Sequence, residues 1–131
     1  MLTEYLRARA AIAFAVDSSE RKEAMLALAE RIAGRMDRST FRFARAASPL
    51  VRAALAAARG DAAQRQRALE EAVRACDAHA MALYGAAARR ALARHAPEHD
   101  HGAMLVGAEQ WMRDAGVRSP ERLSRMLAPG L

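Results

Sequence analysis

The sequence has one cysteine, few aromatic side chains and few β-branched residues. Aromatic residues make up 5% of its 131 positions, and the valines, isoleucines and threonines form no alternating run of the kind that a β-strand needs. No stretch approaches the roughly 20 consecutive apolar residues that span a bilayer. Cys76 has no partner for an internal disulfide. These shortages predict a single all-α domain covering residues 1–131 that lies in the cytoplasm.

An N-terminal secretion signal is the alternative to a cytoplasmic location. Residues 10–16 are apolar and follow Arg7 and Arg9, as in the apolar region of such a signal. However, Glu4 interrupts the basic region, and cleavage after Ala15 would leave almost no apolar segment ahead of it. We therefore favour the cytoplasm.

Alanine and arginine are abundant instead. The net charge is +6, from 21 basic and 15 acidic residues, and Lys22 is the only lysine. A GC-rich genome also favours these two amino acids, so the high isoelectric point alone does not identify a polyanionic ligand. Small alanine faces let helices approach closely, which is typical of stacked helical pairs.

Residues 37–78 form the clearest unit, two helices joined at Gly60-Asp61. Gly60 predicts a helix stop, and Asp61 predicts an N-cap with Gln64 as its capping-box partner. Helical spacing places the following apolar residues on the facing sides: Phe43, Ala44, Ala47, Leu50, Val51, Ala54 and Ala58, then Leu69, Ala72, Val73 and Cys76. Pro49 leaves two readings, a kinked helix over about 38–59 or a break capped by Ser48, and the unbroken apolar stripe favours the kink.

Two further hairpins flank this unit. Asp17 with Glu20 predicts the start of a second helix after residues 2–16, and Asp37 or Ser39 predicts the next start. Helices over about 80–95 and 101–115 follow, the latter with four inward side chains and a stop at Gly116. Ser119-Pro120-Glu121 begins a last helix, with its apolar face inward and Ser124 towards water. The inward side chains are Met104, Ala108, Trp111 and Met112, then Leu123, Met126 and Leu127.

Hairpins over about 2–35, 38–78 and 80–115 repeat at a spacing of roughly 40 residues. This spacing predicts antiparallel helical hairpins stacked as a short tetratricopeptide-like α-solenoid, with residues 119–128 as a C-terminal capping helix. Stacked repeats need polar outer faces at both ends. Because the first helix carries large apolar residues on more than one side, we predict a stacking or self-association edge there that includes Tyr5 or Phe14.

A row of arginines is the most prominent charged feature. Arg38, Arg45, Arg52 and Arg59 recur every seven residues, with Arg42 beside them, so they would line a stripe about 30 Å long. Such a stripe is either a solvated outer face or a surface for phosphates or an acidic protein segment.

Catalytic and metal-binding patterns are absent from the sequence. His95, His99 and His101 lie near Asp100, but Pro97 interrupts any helical ligand spacing, which favours a solvated loop. Asp77 and His79 are interpreted as turn residues, and Cys76 as an inert core residue. We predict no catalytic residue, no cofactor and no metal site.

The last third of the chain resembles a known family. Residues 81–90 read MALYGAAARR, residues 108–123 read AEQWMRDAGVRSPERL, and residues 126–131 read MLAPGL. Together they resemble the closing tetratricopeptide-like region of large bacterial serine/threonine protein kinases with an ATPase-type domain, common in myxobacteria. The resemblance covers residues 80–131 and is only compositional before them. It implies a helical scaffold in which Trp111 and Met112 are buried.

Two functional hypotheses result. The first is a non-catalytic helical-repeat module for protein–protein interaction or regulation, the C-terminal part of a larger signalling kinase, whose partner is another protein, preceding repeats of the same chain, or a second copy. The alternative is an independent protein that binds nucleic acid or another polyanion through the arginine row. Metal or small-ligand binding by the histidine loop is disfavoured.

Overall fold

The computed structural model describes residues 2–95 and 101–131, and these residues form an all-α fold of seven helices. The helices are α1 Leu2–Asp17, α2 Lys22–Asp37, α3 Arg42–Arg59, α4 Ala62–Ala78, α5 Ala82–His95, α6 His101–Asp114 and α7 Pro120–Leu127. The predicted all-α class and the number of helices are thus confirmed for this part of the chain. Among the described helices, none is long and apolar enough to cross a membrane.

Each helix packs against the next one along the chain. In addition, α1 packs against α3, and α7 packs against α5 and α6. Alanine makes much of the buried surface, which allows the close helix contacts that the composition predicted. The packing is consistent with three consecutive helical hairpins followed by a short final helix.

The central helix α3 continues through Pro49, so the continuous reading is confirmed and the break is wrong. Ser48 does not cap a helix. Its hydroxyl is buried and donates to the carbonyl of Ala33, 3.2 Å away, which connects α3 to α2. The buried face of α3 supplies Leu50 and Val51 to the core.

Two predicted helix starts are wrong because the preceding helices run further than expected. α1 extends through Asp17, and α2 begins only after Arg21, which has a left-handed backbone with φ 63°. Similarly, α2 runs through Asp37, and α3 begins after Phe41 without a side-chain cap. The hydroxyl of Ser39 accepts from the backbone N–H of Phe41 and shapes the turn instead.

The turn between α3 and α4 confirms its predicted stop and cap. Gly60 has φ 73°, and Asp61 accepts from the backbone N–H of Gln64 at 2.9 Å. The second predicted bond of the capping box, from the backbone N–H of Asp61 to the Gln64 side chain, is wrong. The N–H of Asp61 already donates to the carbonyl of Ala56, and the Gln64 side chain accepts from Arg67.

Helices α6 and α7 are joined by the predicted stop and start. Gly116 has φ 87°, which favours glycine, and the N–H of Val117 donates to the carbonyl of Met112. Ser119 then caps α7 by accepting from the N–H of Arg122, with Pro120 in the first turn.

The buried side chains form two clusters. The main cluster contains residues of α1 to α5 together with Ala128 and Leu131. The satellite cluster joins α5, α6 and α7 through Ala86, Ala87, Met112 and Leu127. Residues 127–131 therefore connect one cluster to the other.

Several inward assignments near the end of the chain are wrong. Trp111 is 41% exposed and Met126 is 54% exposed, whereas Ser124, expected to face water, is buried. Met112 and Leu127 are buried as predicted. α7 is short and turns a single side, with Ser124 and Leu127, towards its neighbours, so Met126 faces outward.

Three aromatic rings connect the first helices of the three hairpins. Tyr5 on α1, Phe43 on α3 and Tyr84 on α5 pack edge to face, with ring centroids 5.5 to 5.9 Å apart. The Tyr5 hydroxyl donates to the carbonyl of Leu127 at 2.5 Å. Burial raises the pKa of Tyr5, so its hydroxyl keeps the proton for this bond.

Candidate interaction surfaces

The outer side of α1 carries large apolar side chains that the fold leaves exposed. Leu2 is 55% exposed, Leu6 47% and Phe14 50%. Together with Ala10 they recur every fourth residue, so they lie along one side of the helix. We call these four residues the α1 ridge.

The structure separates the two residues predicted to form the N-terminal edge. Phe14 is exposed and belongs to the α1 ridge. Tyr5 does not lie on this edge: it is fully buried, packs against Phe43 and Tyr84, and is hydrogen-bonded to Leu127. The sequence showed that α1 has apolar residues on several sides, but it could not show which of those sides the last residues of the chain would cover.

An open groove of about 250 Å³ runs between the α1 ridge and the end of α7. Its walls include Leu6, Ala13, Met126 and Pro129. At its edge the guanidinium of Arg9 lies 5.3 Å from the centroid of the Tyr5 ring, a favourable cation–π distance. The exposed apolar surface therefore continues from α1 onto the C-terminal segment.

The predicted row of five arginines is not continuous. Arg38 follows the end of α2 rather than lying on α3, because α3 begins only at Arg42. Arg52 pairs with Asp37, and Arg59 pairs with Glu30 at 2.8 Å. Arg42 and Arg45 are exposed at the start of α3.

The pairing with α2 changes the electrostatics of this side of the molecule. The hydrogen bond and charge of Arg59 hold the pKa of Glu30 below its ordinary value, and the same bond raises the pKa of Arg59. Asp37 and Glu30 thus neutralise part of the positive charge that the sequence concentrated on α3. The helical spacing of Glu30 and Asp37 on α2 was the sequence feature that could have indicated these ion pairs. Spacing alone, however, does not identify a partner on another helix.

A second charged arrangement, between α5 and its neighbours, was not predicted. Arg90 is buried and donates to Glu109 on α6 at 3.0 Å. Arg89 pairs with Asp77 at 2.5 Å, so Asp77 does more than shape the turn to which it was assigned. A cavity of about 270 Å³ lies beside this pair, lined by Asp77, Ala82, Ala86, Arg89, Gly107, Ala108 and Trp111.

The histidine and cysteine side chains that the structure describes are not grouped into a catalytic or metal-binding arrangement. Within residues 2–95 and 101–131, no three histidine, cysteine, aspartate or glutamate side chains are placed to hold a metal ion. His95 is exposed, while His99 and Asp100 lie outside the described residues. Cys76 is buried as predicted, and burial together with the Asp77 charge raises its pKa to about 11, which keeps it as a thiol.

No protein-family model matches this chain, and no curated protein or solved structure is significantly similar to it.

Proposed function

We propose that this protein is a non-catalytic helical-repeat module that binds another helical protein surface through the α1 ridge. The proposal includes a tetratricopeptide-like stacking of the three hairpins and a cytoplasmic location. The observation that carries it is the exposure of Leu2, Leu6 and Phe14 along one side of the first helix. Contiguous apolar surface of this kind is typical of protein–protein interaction sites.

The α1 ridge is suited to a helical partner. Side chains at every fourth position form a ridge that fits into the groove of a second helix. Fully burying one such side chain contributes about 1.5–3 kcal/mol, so covering the exposed halves of Leu2, Leu6 and Phe14 is a substantial driving force. In the isolated chain, the available partner surface is the α1 ridge of a second copy.

We also propose that the module belongs to a larger bacterial signalling kinase. The support is the resemblance of residues 80–131 to the closing helical region of such kinases. The genomic reading frame upstream of Met1 tests this proposal. A fused kinase and ATPase domain is the expected result, and an in-frame stop codon directly before Met1 would contradict it.

Sedimentation equilibrium tests the interaction through the α1 ridge. From about 1 µM to about 1 mM, we expect the apparent mass to rise from one copy towards two. The triple substitution Leu2→Ser, Leu6→Ser, Phe14→Ser should remain at the mass of one copy. Phe41→Ser is the matched control, because Phe41 is also exposed but lies outside the α1 ridge, directly before α3. A single-copy mass for the unmodified chain at every concentration would contradict binding of the α1 ridge to a second copy.

Polyanion binding is kept as a second candidate because Arg42 and Arg45 are exposed next to the exposed ring of Phe41. An aromatic ring beside guanidiniums can stack on a base while they contact phosphates. We expect fluorescence anisotropy to show binding to single-stranded DNA that weakens steeply with salt and that Arg42→Glu with Arg45→Glu abolishes. Arg113→Glu, on the exposed side of α6, is the control. Weak binding whose affinity changes neither with salt concentration nor with the α3 substitutions would eliminate this candidate.

A further inference from the structure

The α1 ridge has an arginine on each side. Arg9 lies three residues after Leu6 on the same helix, and Arg7 lies three residues before Ala10. Because an α-helix turns by about 100° per residue, these offsets place the two arginines on opposite flanks of the ridge, each roughly 80° from its centre. The exposed apolar side chains are therefore bordered by positive charge along both sides of α1.

The fold does not neutralise these two arginines. Among the side chains that the structure describes, no carboxylate pairs with Arg7 or Arg9. Of the two acidic residues on α1, Glu4 is occupied by Arg35 of α2, 3.0 Å away. The other, Asp17, lies eight residues beyond Arg9, about 12 Å along the helix. The flanks of the α1 ridge thus keep an uncompensated positive charge.

Arg9 is held against the fold instead of extending freely into solvent. Its guanidinium packs on the Tyr5 ring, and its Nε is buried without a hydrogen-bond partner in the described structure. The same side chain lines the open groove of about 250 Å³ between α1 and the end of α7. The other lining residues are apolar apart from Arg125, which already pairs with Glu121. A carboxylate that binds Arg9 would therefore meet a cation whose conformation is already restricted, which lowers the entropic cost of the contact.

Shape and charge together select among the partners that such a surface could bind. A ridge beside a groove fits the side chains of a second helix, whereas a flat membrane would leave the groove unfilled. A second copy of this chain would set its own two arginines against those of the first, and like charges that face each other across an interface weaken it. The complementary surface has apolar side chains with carboxylates on both sides of them.

We propose that the partner of the α1 ridge is an acidic amphipathic helix of another protein. Its apolar side chains cover the ridge, and its carboxylates pair with Arg7 and Arg9. This inference rests on the proposed function, because it needs the α1 ridge to be an interaction surface, and it adds the chemistry of the partner. An acidic helix and a second copy use the same ridge, so they compete for it.

Two fluorescein-labelled peptides that differ only in charge test this inference. Each is a designed helix of about 20 residues with leucines along one side, and the positions beside the leucines are all glutamate in one peptide and all lysine in the other. We expect fluorescence polarisation to show the full chain binding the glutamate peptide at least about tenfold more tightly than the lysine peptide. The double substitution Arg7→Glu with Arg9→Glu should reverse this preference.

Two further variants control for net charge and for folding. Arg67→Glu with Arg74→Glu reverses two exposed arginines of α4, so it changes the net charge equally and should keep the preference for the glutamate peptide. Arg7→Glu alone changes only an exposed side chain. It should reduce the preference even if a substitution of Arg9, which packs on Tyr5, disturbs the fold.

The outcomes separate this inference from the proposed function. Equal binding of both peptides that is lost when Leu2, Leu6 and Phe14 are replaced by serine would overturn the acidic partner and keep the α1 ridge as an interaction surface. A preference for glutamate that survives the three serine substitutions would count against both. Binding to neither peptide, or binding only to vesicles of phosphatidylcholine and phosphatidylglycerol, would also overturn the inference.

Discussion

Helices α1 and α3 both bury one side in the main cluster, but their outer sides differ. α1 buries Tyr5 and Ile12 and exposes the apolar α1 ridge. α3 buries Leu50 and Val51, and its outer arginines include Arg52 and Arg59, which pair with carboxylates of α2. Arg52 and Arg59 on the outer side of α3 are thus paired within the fold, whereas the outer side of α1 exposes apolar side chains to solvent.

This difference follows from the places of the two helices in the packing. α3 contacts α1, α2 and α4, so nearly all of its apolar positions find a neighbour. α1 contacts α2 and α3, its Tyr5 hydroxyl donates to the carbonyl of Leu127, and its Val16 lies beside Gly130. These contacts cover only part of its apolar circumference. The comparison teaches that the described helices leave the remaining large apolar residues of α1 uncovered.

The largest expected effect separates the two sides of α1. Tyr5→Ala should lower the free energy of unfolding by about 3–5 kcal/mol, because it removes a fully buried ring and the hydrogen bond to Leu127. Phe14→Ala should lower it by no more than about 1.5 kcal/mol, because half of the Phe14 side chain is already exposed. Urea unfolding followed by circular dichroism measures both at a low protein concentration. Equal losses would mean that the outer side of α1 is part of the core.

A smaller effect is expected on the outer side of α3. The exposed pair of Glu30 and Arg59 should contribute no more than about 1 kcal/mol. Because the pKa of Glu30 is lowered in the fold, this contribution is present above the unfolded pKa and is lost as the pH falls through the folded pKa.

The pH dependence provides the measurement for this pair. Glu30→Gln should lower the free energy of unfolding at neutral pH, and the difference from the unmodified chain should shrink as the pH falls below the ordinary range of a glutamate. Glu71→Gln, on the exposed side of α4, is the control and should show no such convergence. A difference that grows towards acid would contradict the assigned pairing.

Local sequence patterns predicted several helix ends well, because the residues that form a cap or a stop lie within a few positions of one another. Gly60 ends α3 and Asp61 caps α4 through atoms within a few residues, and Ser119 with Pro120 begins α7 in the same way. The start of α2 was missed because Asp17 can either cap a new helix or extend the preceding one. In the structure it is the last residue of α1. Trp111 was assigned inward from its spacing, yet α6 buries only Ala108 and Met112 among its described side chains.

Contacts between distant residues could not be predicted from periodicity. The spacing of Tyr5 indicates a buried side, but its bond to Leu127 joins residues 122 positions apart. The same holds for the pairing of Arg59 with Glu30 and for the burial of Leu131. A helical pattern shows which side of a helix is apolar, while the packing of all seven helices decides what covers it.

The most direct test of the proposed interaction is a concentration series of methyl NMR spectra. Leu2 and Leu6 report on the α1 ridge, while the fully buried Leu26 and Leu69 report on the core of the same molecule. If the α1 ridge binds a second copy, the methyl signals of Leu2 and Leu6 should shift together as concentration rises, and those of Leu26 and Leu69 should stay in place. Signals of Leu2 and Leu6 that do not change up to about 1 mM would contradict the account.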